Sequence, residues 1–380
     1  MTSERLLLGP GPSPVSARVM GAMSAPVVSH LDPEMLVILD DMRGLLDQTF
    51  RAGPGAFSLA ISGTGTSGME AAVANVTAPG ARVFVIVTGY FGDRLAQIFQ
   101  RYGAEVTRHD GEWGRACDPA AVERALGTGK FDIVAVVHAE TSTGVLNPVR
   151  EIAAIAARAG ALIVVDAVTS FAAMPLEVEA WGIDVCYSCS QKGLGAPSGM
   201  APVSFSARAL GKKVASRSFY FDLALLEDYW VRRKYHHTIS APLVYAVREA
   251  LQVVAEEGLE ARWARHERNH KALASGLEAI GLALLPPAGE RLWTLNAVKV
   301  PAGIDEAAVR RRLLGEFNME IGAGLGPLAG KIWRVGLMGA GSTLANVLLF
   351  LTALERVLSA AGHKHAGGAA AGAAEATARA

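Results

Sequence analysis

The sequence predicts an α/β fold: a largely parallel sheet buried on both faces, followed by a smaller α+β unit. Three observations predict it. Between residues 57 and 206 short apolar runs alternate with helical patterns. The runs are continuous ("RVFVIV", "FDIVAVVHAE", "ALIVVDAV"), as strands covered on both faces are, and the helices between them impose right-handed crossovers. After about residue 240 the pattern changes to a long helical stretch and then to mixed elements.

The elements follow in order. "FSLAI" is a strand leading into a glycine loop, and "MEAAVANV" a helix. "RVFVIV" (82–87) is a strand, "DRLAQIFQRYG" a helix, "FDIVAVVHAE" a strand, "VREIAAIAARAG" a helix and "ALIVVDAV" a strand. "GIDVCYSCS" and "MAPVSFS" are shorter strands. Residues 244–281 have helical spacing interrupted at Gly258, which makes the linker between the two units a helix. "LNAVKVP", "DEAAVRRRLLGEFN", "KIWRVGLMG" and "ANVLLFLTALERVLSAAG" form the smaller unit. The expected organisation is an N-terminal arm (1–16), a large domain (17–255), a small domain (256–362) and a disordered Gly/Ala-rich tail (363–380).

Composition narrows the function. The chain has 380 residues, half of them apolar, enough for a substantial core. Its 36 basic and 36 acidic residues cancel, so no charge excess points to nucleic acid or an anionic membrane. Three cysteines imply no disulfide framework. Cys186 and Cys189 form a C-x-x-C, but no second ligand pair is placed for zinc and the pair does not open a helix as a redox dithiol does. "MTSERLLLGPGPSP" reads neither as a signal peptide nor as an anchor, and the terminal "ATARA" is not a targeting address, so a cytoplasmic protein is expected.

In "SGTGTSGMEAA" (62–72), Gly63, Gly65 and Gly68 satisfy G-x-G-x-x-G. A dinucleotide site also needs an acid at the end of the second strand; Thr88 stands there instead. The loop suits a phosphate equally well. Helix N-terminal N–H groups face outward, glycines permit close approach, and Thr64, Thr66 and Ser67 add hydroxyls.

Asp166 closes an apolar strand, where an unpaired carboxylate is costly. Lys192 follows the next strand at the sheet edge where ligands bind. A phosphate loop, a buried acid and a lysine are three of the four things pyridoxal phosphate needs; Tyr90 or Phe91 offers the fourth, an aromatic face. His236 and His237 are adjacent and cannot share one ion on a regular element. His266 and His270, four residues apart on the long helix, read as surface residues.

With these residues in place the chain resembles the fold-type-I, class V pyridoxal-phosphate-dependent aminotransferases, most closely the alanine–glyoxylate / serine–glyoxylate (serine–pyruvate) branch. The resemblance rests on "LLLGPGPSPVS", "ISGTGTSGMEAA", "GYFGDR", "HAETSTGVLNP", "VVDAVTSF", "YSCSQKGLGAP", "KYHHTIS" and "GLGPLAGKIWRVGLMG", and spans about residues 5–360. It implies a seven-stranded, mostly parallel sheet and the following roles. Lys192 resembles the Schiff-base lysine and proton shuttle, and Asp166 the partner of the ring nitrogen. Val168 and Phe91 resemble the residues on the two ring faces. Thr64, Gly65, Thr66 and Gln191 resemble the phosphate site. Thr141 resembles a donor to the ring 3′-oxygen beside the substrate, and Arg334 the clamp on the substrate carboxylate. Gly11 lies in a loop resembling one that covers the substrate. Tyr235 and Thr238 resemble residues that reach the neighbouring subunit's phosphate, which implies a homodimer. Three positions depart from the pattern: Phe91 replaces a more usual Trp, Thr66 stands where some relatives have His, and Ser198 interrupts paired prolines.

The implied activity is ping-pong transfer of an amino group from alanine, serine or glycine to glyoxylate or pyruvate. Phosphonate (2-aminoethylphosphonate–pyruvate) and ureidoglycine–glyoxylate transaminases stay open as alternatives, although Tyr235 leans toward the alanine/serine branch. A cysteine desulfurase would need a nucleophilic cysteine in "NMEIGAGLGPLAGK", which has none. From other classes stand an NAD-dependent oxidoreductase resting on 63–68 and a non-catalytic pyridoxal-phosphate-binding protein, the latter opposed by the intact lysine and arginine.

Overall fold

Continuous apolar runs become the centre of the sheet, and the computed structural model, which describes residues 5–379, shows how they are ordered. The chain opens with β1 (Leu6–Leu7), α1 (Ala17–Ala22) and α2 (Pro33–Phe50). α2 starts where Asp32 accepts from the Glu34 N–H with Pro33 in the first turn, and stops at Arg51 in the left-handed region (φ 52°). Next come β2 (Phe57–Ser62), α3 (Gly65–Val76), β3 (Arg82–Val87), α4 (Tyr90–Arg101), β4 (Glu105–Asp110), α5 (Pro119–Leu126) and β5 (Ile133–Val137). A small hairpin, β6 (Ala139–Glu140) and β7 (Val145–Leu146), precedes α6 (Val149–Arg158), β8 (Leu162–Asp166), β9 (Val185–Tyr187) and β10 (Met200–Phe205).

Seven of these strands form one sheet in the order β2-β10-β9-β8-β5-β3-β4. Only β10 runs antiparallel to its neighbours. The chain reverses its direction of travel across the sheet between β3 and β5, so a crevice opens at the carboxyl ends of these strands. Register brings Asp166 level with Val137 on one side and Tyr187 on the other. The sequence reading has no strand at β4. Its residues, "EVTRHD", are exposed or half-buried because this is a sheet edge, and an edge strand need not be apolar.

The order also removes the dinucleotide reading of 63–68. β2, which leads into the glycine loop, is an edge strand whose one neighbour is the antiparallel β10, not the second parallel strand of a mononucleotide unit. Thr88, where the ribose-binding acid would stand, is buried and accepts from Asn147.

After α7 (Ala207–Gly211) and α8 (Leu223–Trp230), α9 (Ala241–Glu257) and α10 (Leu259–Ala279) meet at Gly258, whose φ of 80° breaks the long helix. Then follow β11 (Leu295–Lys299), α11 (Glu306–Phe317), β12 (Met319–Glu320), β13 (Gly322–Ala323), β14 (Ile332–Gly336), α12 (Leu344–Ala360) and α13 (Ala369–Arg379). The strands β11-β14-β13 form an antiparallel sheet, and β1 pairs in parallel with β12. Two main cores result. One holds residues from Val19 to Val254; the other joins Leu8 to residues from Ala272 to Ala374. The N-terminal arm is thus anchored on the smaller unit and reaches back toward the larger one. No helix among the described residues is long and apolar enough to cross a membrane.

Two expectations are corrected. His266 and His270 are not surface residues. His266 bridges the Arg262 carbonyl (2.7 Å) and the Gly339 N–H (3.1 Å), burial pushes its pKa down to about 3, and His270 pairs with Asn296 at 2.7 Å. On the same helix Arg262 donates to the Gly193 carbonyl at 2.8 Å, tying α10 to the loop after Lys192. The Gly/Ala-rich tail is likewise not disordered: residues 369–379 form α13 (Ala380 lies outside the described residues). Ala370 and Ala374 are buried against α10, where a Cβ added at Gly276 would come within 2.7 Å of the Ala370 carbonyl oxygen. Small side chains let the two helices approach, and alanine is the best helix former. Glu355 completes the start of this segment, accepting from the Gly368 and Ala370 N–H groups at 3.1 and 2.8 Å.

Glu355→Ala leaves those N–H groups without an acceptor. It should lower stability by about 1–3 kcal/mol and raise amide exchange across 369–379, with turnover retained; hydrogen-exchange mass spectrometry reads both the helix and its loss.

Candidate active site

A cavity of about 130 Å³ lies at the carboxyl edge of the large sheet. Thr64, Gly65, Thr66, Phe91, Thr141, Asp166, Val168, Gln191 and Lys192, drawn from segments far apart in sequence, all line it.

The loop after β2 forms one end. Thr64 is the N-cap of α3 without a side-chain cap bond, and Thr64 and Thr66 are exposed to the cavity. The first N–H groups of α3 have no partner within the helix, so the loop offers donors and a positive dipole end. Gly65 fits closely here, because a Cβ on it would lie 3.0 Å from Val168 Cγ2 and crowd that side chain.

Asp166 ends β8 almost fully buried. Its Oδ1 accepts from the Val168 N–H at 2.8 Å and its Oδ2 from the Tyr187 hydroxyl at 3.1 Å. Burial pushes its pKa up to about 7, and the bond from Val168 opposes this. Lys192 is buried in the loop after β9. Desolvation pulls its pKa down, and Arg334's charge adds to that. Its Nζ donates to the Pro10 carbonyl at 2.5 Å, and Ser13 Oγ donates to the Lys192 carbonyl at 2.8 Å. Gly11 (φ 110°) lies against the same side chain, since a Cβ there would meet Lys192 Cε at 3.2 Å.

Arg334 comes from β14. Its Nε donates to the Ala323 carbonyl at 2.6 Å and its Nη1 to the Thr141 carbonyl at 3.4 Å. Burial lowers its pKa to about 10, opposed by the charge of Glu140. It stands beside the cavity on the Thr141 side. Thr141 Oγ1 shares a 2.5 Å hydrogen bond with Thr169 Oγ1. Tyr235 and Thr238 are not brought into this cavity; they are exposed in the segment between α8 and α9, with the Tyr235 ring tilted against His30 at 5.2 Å. Cys186 and Cys189 are free, buried thiols, and burial pushes Cys189 up to about 12.

The donor set suits pyridoxal phosphate: an anion-accepting loop, an amine, a buried acid and the apolar side chains of Phe91 and Val168 share one cavity. Residues 18–328 match the aminotransferase class-V family.

This chain belongs to the class-V aminotransferases.

It is therefore a pyridoxal-phosphate-dependent transaminase. It is 40% identical to the (S)-ureidoglycine–glyoxylate transaminase of Bacillus subtilis (strain 168), over 94% of this chain and 91% of that one. It is 36% identical to the alanine–glyoxylate aminotransferase of Drosophila melanogaster, over 93% and 92%. The crystal structure of the ureidoglycine–glyoxylate aminotransferase from B. subtilis superposes with a TM-score of 0.97, 39% identity and coverage of 100% and 99%. That of the alanine–glyoxylate aminotransferase from Nostoc sp. gives 0.92 and 45%, over 94% and 96%.

Sequence reasoning on this class-V aminotransferase missed three side chains. Glu140, fully buried on β6, accepts from the Phe91 and Gly92 N–H groups at 3.2 and 3.1 Å and from the Ser142 N–H at 3.1 Å. It caps α4 and fixes the backbone that carries Phe91; burial raises its pKa. An acid between an apolar strand and a Ser/Thr/Gly turn was the available signal, the same one that marks Asp166. Tyr187 was hidden in a strand that reads as core. Arg94, which lines the cavity and donates to Thr66 Oγ1 at 3.0 Å, reads as a surface charge on an amphipathic helix.

The raised pKa of Asp166 has a sign. In the protein without cofactor it contributes stability that is complete below about pH 4, the unfolded value, and is lost as pH rises through about 7. A ring cation held by Asp166 would need its ionised form, and cofactor uptake would then release a proton below about pH 7. Affinity of the apoenzyme for pyridoxal phosphate should strengthen between about pH 5 and about pH 7. Asp166→Asn should bind more weakly and without this slope in an absorbance titration; a flat wild-type profile contradicts the assignment.

Proposed function

We propose that this class-V aminotransferase moves the amino group of a small amino acid (alanine, serine or glycine) to glyoxylate or pyruvate, with Lys192 as the catalytic amine. The observation that carries the reading is the meeting of Lys192, Asp166 and the 64–66 loop in one cavity.

Bound pyridoxal phosphate supplies an aldehyde that captures amines and a ring that takes up carbanion charge. The protein's own groups do the rest. Asp166, as a carboxylate, holds a proton on the ring nitrogen. Lys192 anchors the cofactor and, once displaced by substrate, takes the proton from the substrate Cα and returns it on the cofactor side. Its lowered pKa favours the neutral amine this requires, and the Pro10 carbonyl stands within reach to hold that amine. Arg334, oriented by the Ala323 carbonyl, grips the substrate carboxylate through its planar fork. Gly11 packs against the lysine, which leaves room for short substrate side chains. One site serves both half-reactions in turn, so kinetics are ping-pong.

Glyoxylate appears in the names of the B. subtilis, Drosophila and Nostoc relatives, which favours it as acceptor. Ureidoglycine as donor is the second reading, favoured by the 40% identity and 0.97 TM-score to the B. subtilis protein. A matrix of alanine, serine, glycine, 2-aminoethylphosphonate and ureidoglycine against glyoxylate and pyruvate separates the two. Turnover with alanine or serine and glyoxylate, giving parallel reciprocal plots, is expected; turnover with ureidoglycine alone overturns the first reading.

The same reading makes the enzyme a homodimer whose sites are completed by the partner's Tyr235 and Thr238. Its support is that Val27, Val37, Phe219 and Tyr235 are large apolar side chains left mostly exposed in the single chain. Cytoplasmic location is part of the reading too, supported by three free, buried cysteines. Lys192→Ala should lose activity at least about a thousandfold. Mixing it with an impaired Thr238→Ala variant, with subunit exchange, should restore activity, because one site of the hybrid carries both native residues. No restoration would mean each site is built from one chain.

A further inference from the structure

The phosphate end of the site has donors but no assigned cation. The 64–66 loop contributes N–H groups, two threonine hydroxyls and the positive end of α3, while a phosphate monoester carries about two negative charges near neutral pH. Among the described residues lining the cavity, Lys192 and Arg94 are the cationic ones. Lys192 serves the aldehyde end. Arg94 lies at the other end, where its Nη1 donates to Thr66 Oγ1 at 3.0 Å.

Arg94 is held there by helical spacing. It stands three residues after Phe91 and four after Tyr90 on α4, and its guanidinium carbon lies 5.1 and 5.3 Å from their ring centroids. Among the described residues no carboxylate pairs with it. Its neighbour Asp93 is committed to Arg108 at 2.6 Å. A guanidinium with no carboxylate partner, set over two aromatic rings and hydrogen-bonded to a hydroxyl of the phosphate loop, can still take an anion with several acceptor oxygens. The short Thr66 gives it a hydroxyl to reach.

We propose that Arg94 is the side-chain cation for the cofactor's 5′-phosphate, and that its stacking over Phe91 couples the phosphate grip to the aromatic wall. The inference rests on the reading that the 64–66 loop holds this phosphate.

Two ligands separate the possibilities: pyridoxal phosphate and pyridoxal, which lacks the phosphate. Both are titrated into apo forms of the wild type, Arg94→Gln, Arg94→Lys and Thr64→Ala, following absorbance. Arg94→Gln should weaken pyridoxal phosphate by about ten- to a hundredfold and leave pyridoxal within about twofold. Arg94→Lys, which keeps the charge, should recover part of the loss. Equal weakening of both ligands would reduce Arg94 to a support for Phe91 and overturn the proposal, as would no weakening at all. Thr64→Ala reports on the loop alone: if it leaves the ratio of the two affinities unchanged, the loop reading fails. If it lowers the ratio and Arg94→Gln does not, only the Arg94 assignment fails.

Discussion

A carboxylate buried at the end of a strand is the constraint on which this site turns. Asp166 is met by a backbone N–H and a tyrosine hydroxyl and, among the described residues, by no side-chain cation at hydrogen-bond distance. Neutral donors compensate only part of the cost of burying its charge, so its pKa rises to about 7. A cationic ring nitrogen placed beside it would restore the ionised form, and a protonated pyridine ring is a far better sink for carbanion charge than a neutral one. Desolvation that costs the protein stability is what makes the residue useful.

The same cavity draws on both units of the chain. The sheet provides Asp166, the loop at 64–66 and, through α4, Phe91. The smaller unit provides Arg334. The arm that starts as a strand on the smaller unit crosses to lay Pro10 and Gly11 against Lys192. α10 reaches back through Arg262 to the Gly193 carbonyl, and His266 joins that helix to the turn at Gly339. Movement of the smaller unit would therefore move the arm, Arg334 and the lysine loop together.

Much of this was legible in the sequence, for a physical reason. Strands buried on both faces must be apolar throughout, so β3, β5 and β8 stand out, and a charged residue ending such a run, as Asp166 does, marks chemistry. β4 was invisible because an edge strand bears no such requirement. α13 was misread because alanine and glycine were taken as low complexity. Their small size is what lets that helix seat against α10 at Gly276. Burial of His266 and His270 depends on which helix face meets β11 and the turn at Gly339, a tertiary fact that spacing alone does not contain. Arg94 and Glu140 escaped notice because their hydrogen-bond partners, Thr66 in one case and the Phe91 backbone in the other, lie far off in sequence and only the fold brings them together.

Borohydride reduction of the holoenzyme followed by peptide mapping tests the central claim most directly, because it fixes the cofactor to whichever amine holds it. The account predicts a single phosphopyridoxyl group, on Lys192. Its appearance on any other lysine, or a protein that takes up no cofactor at all, would contradict the convergence of Lys192, Asp166 and the 64–66 loop on one ligand.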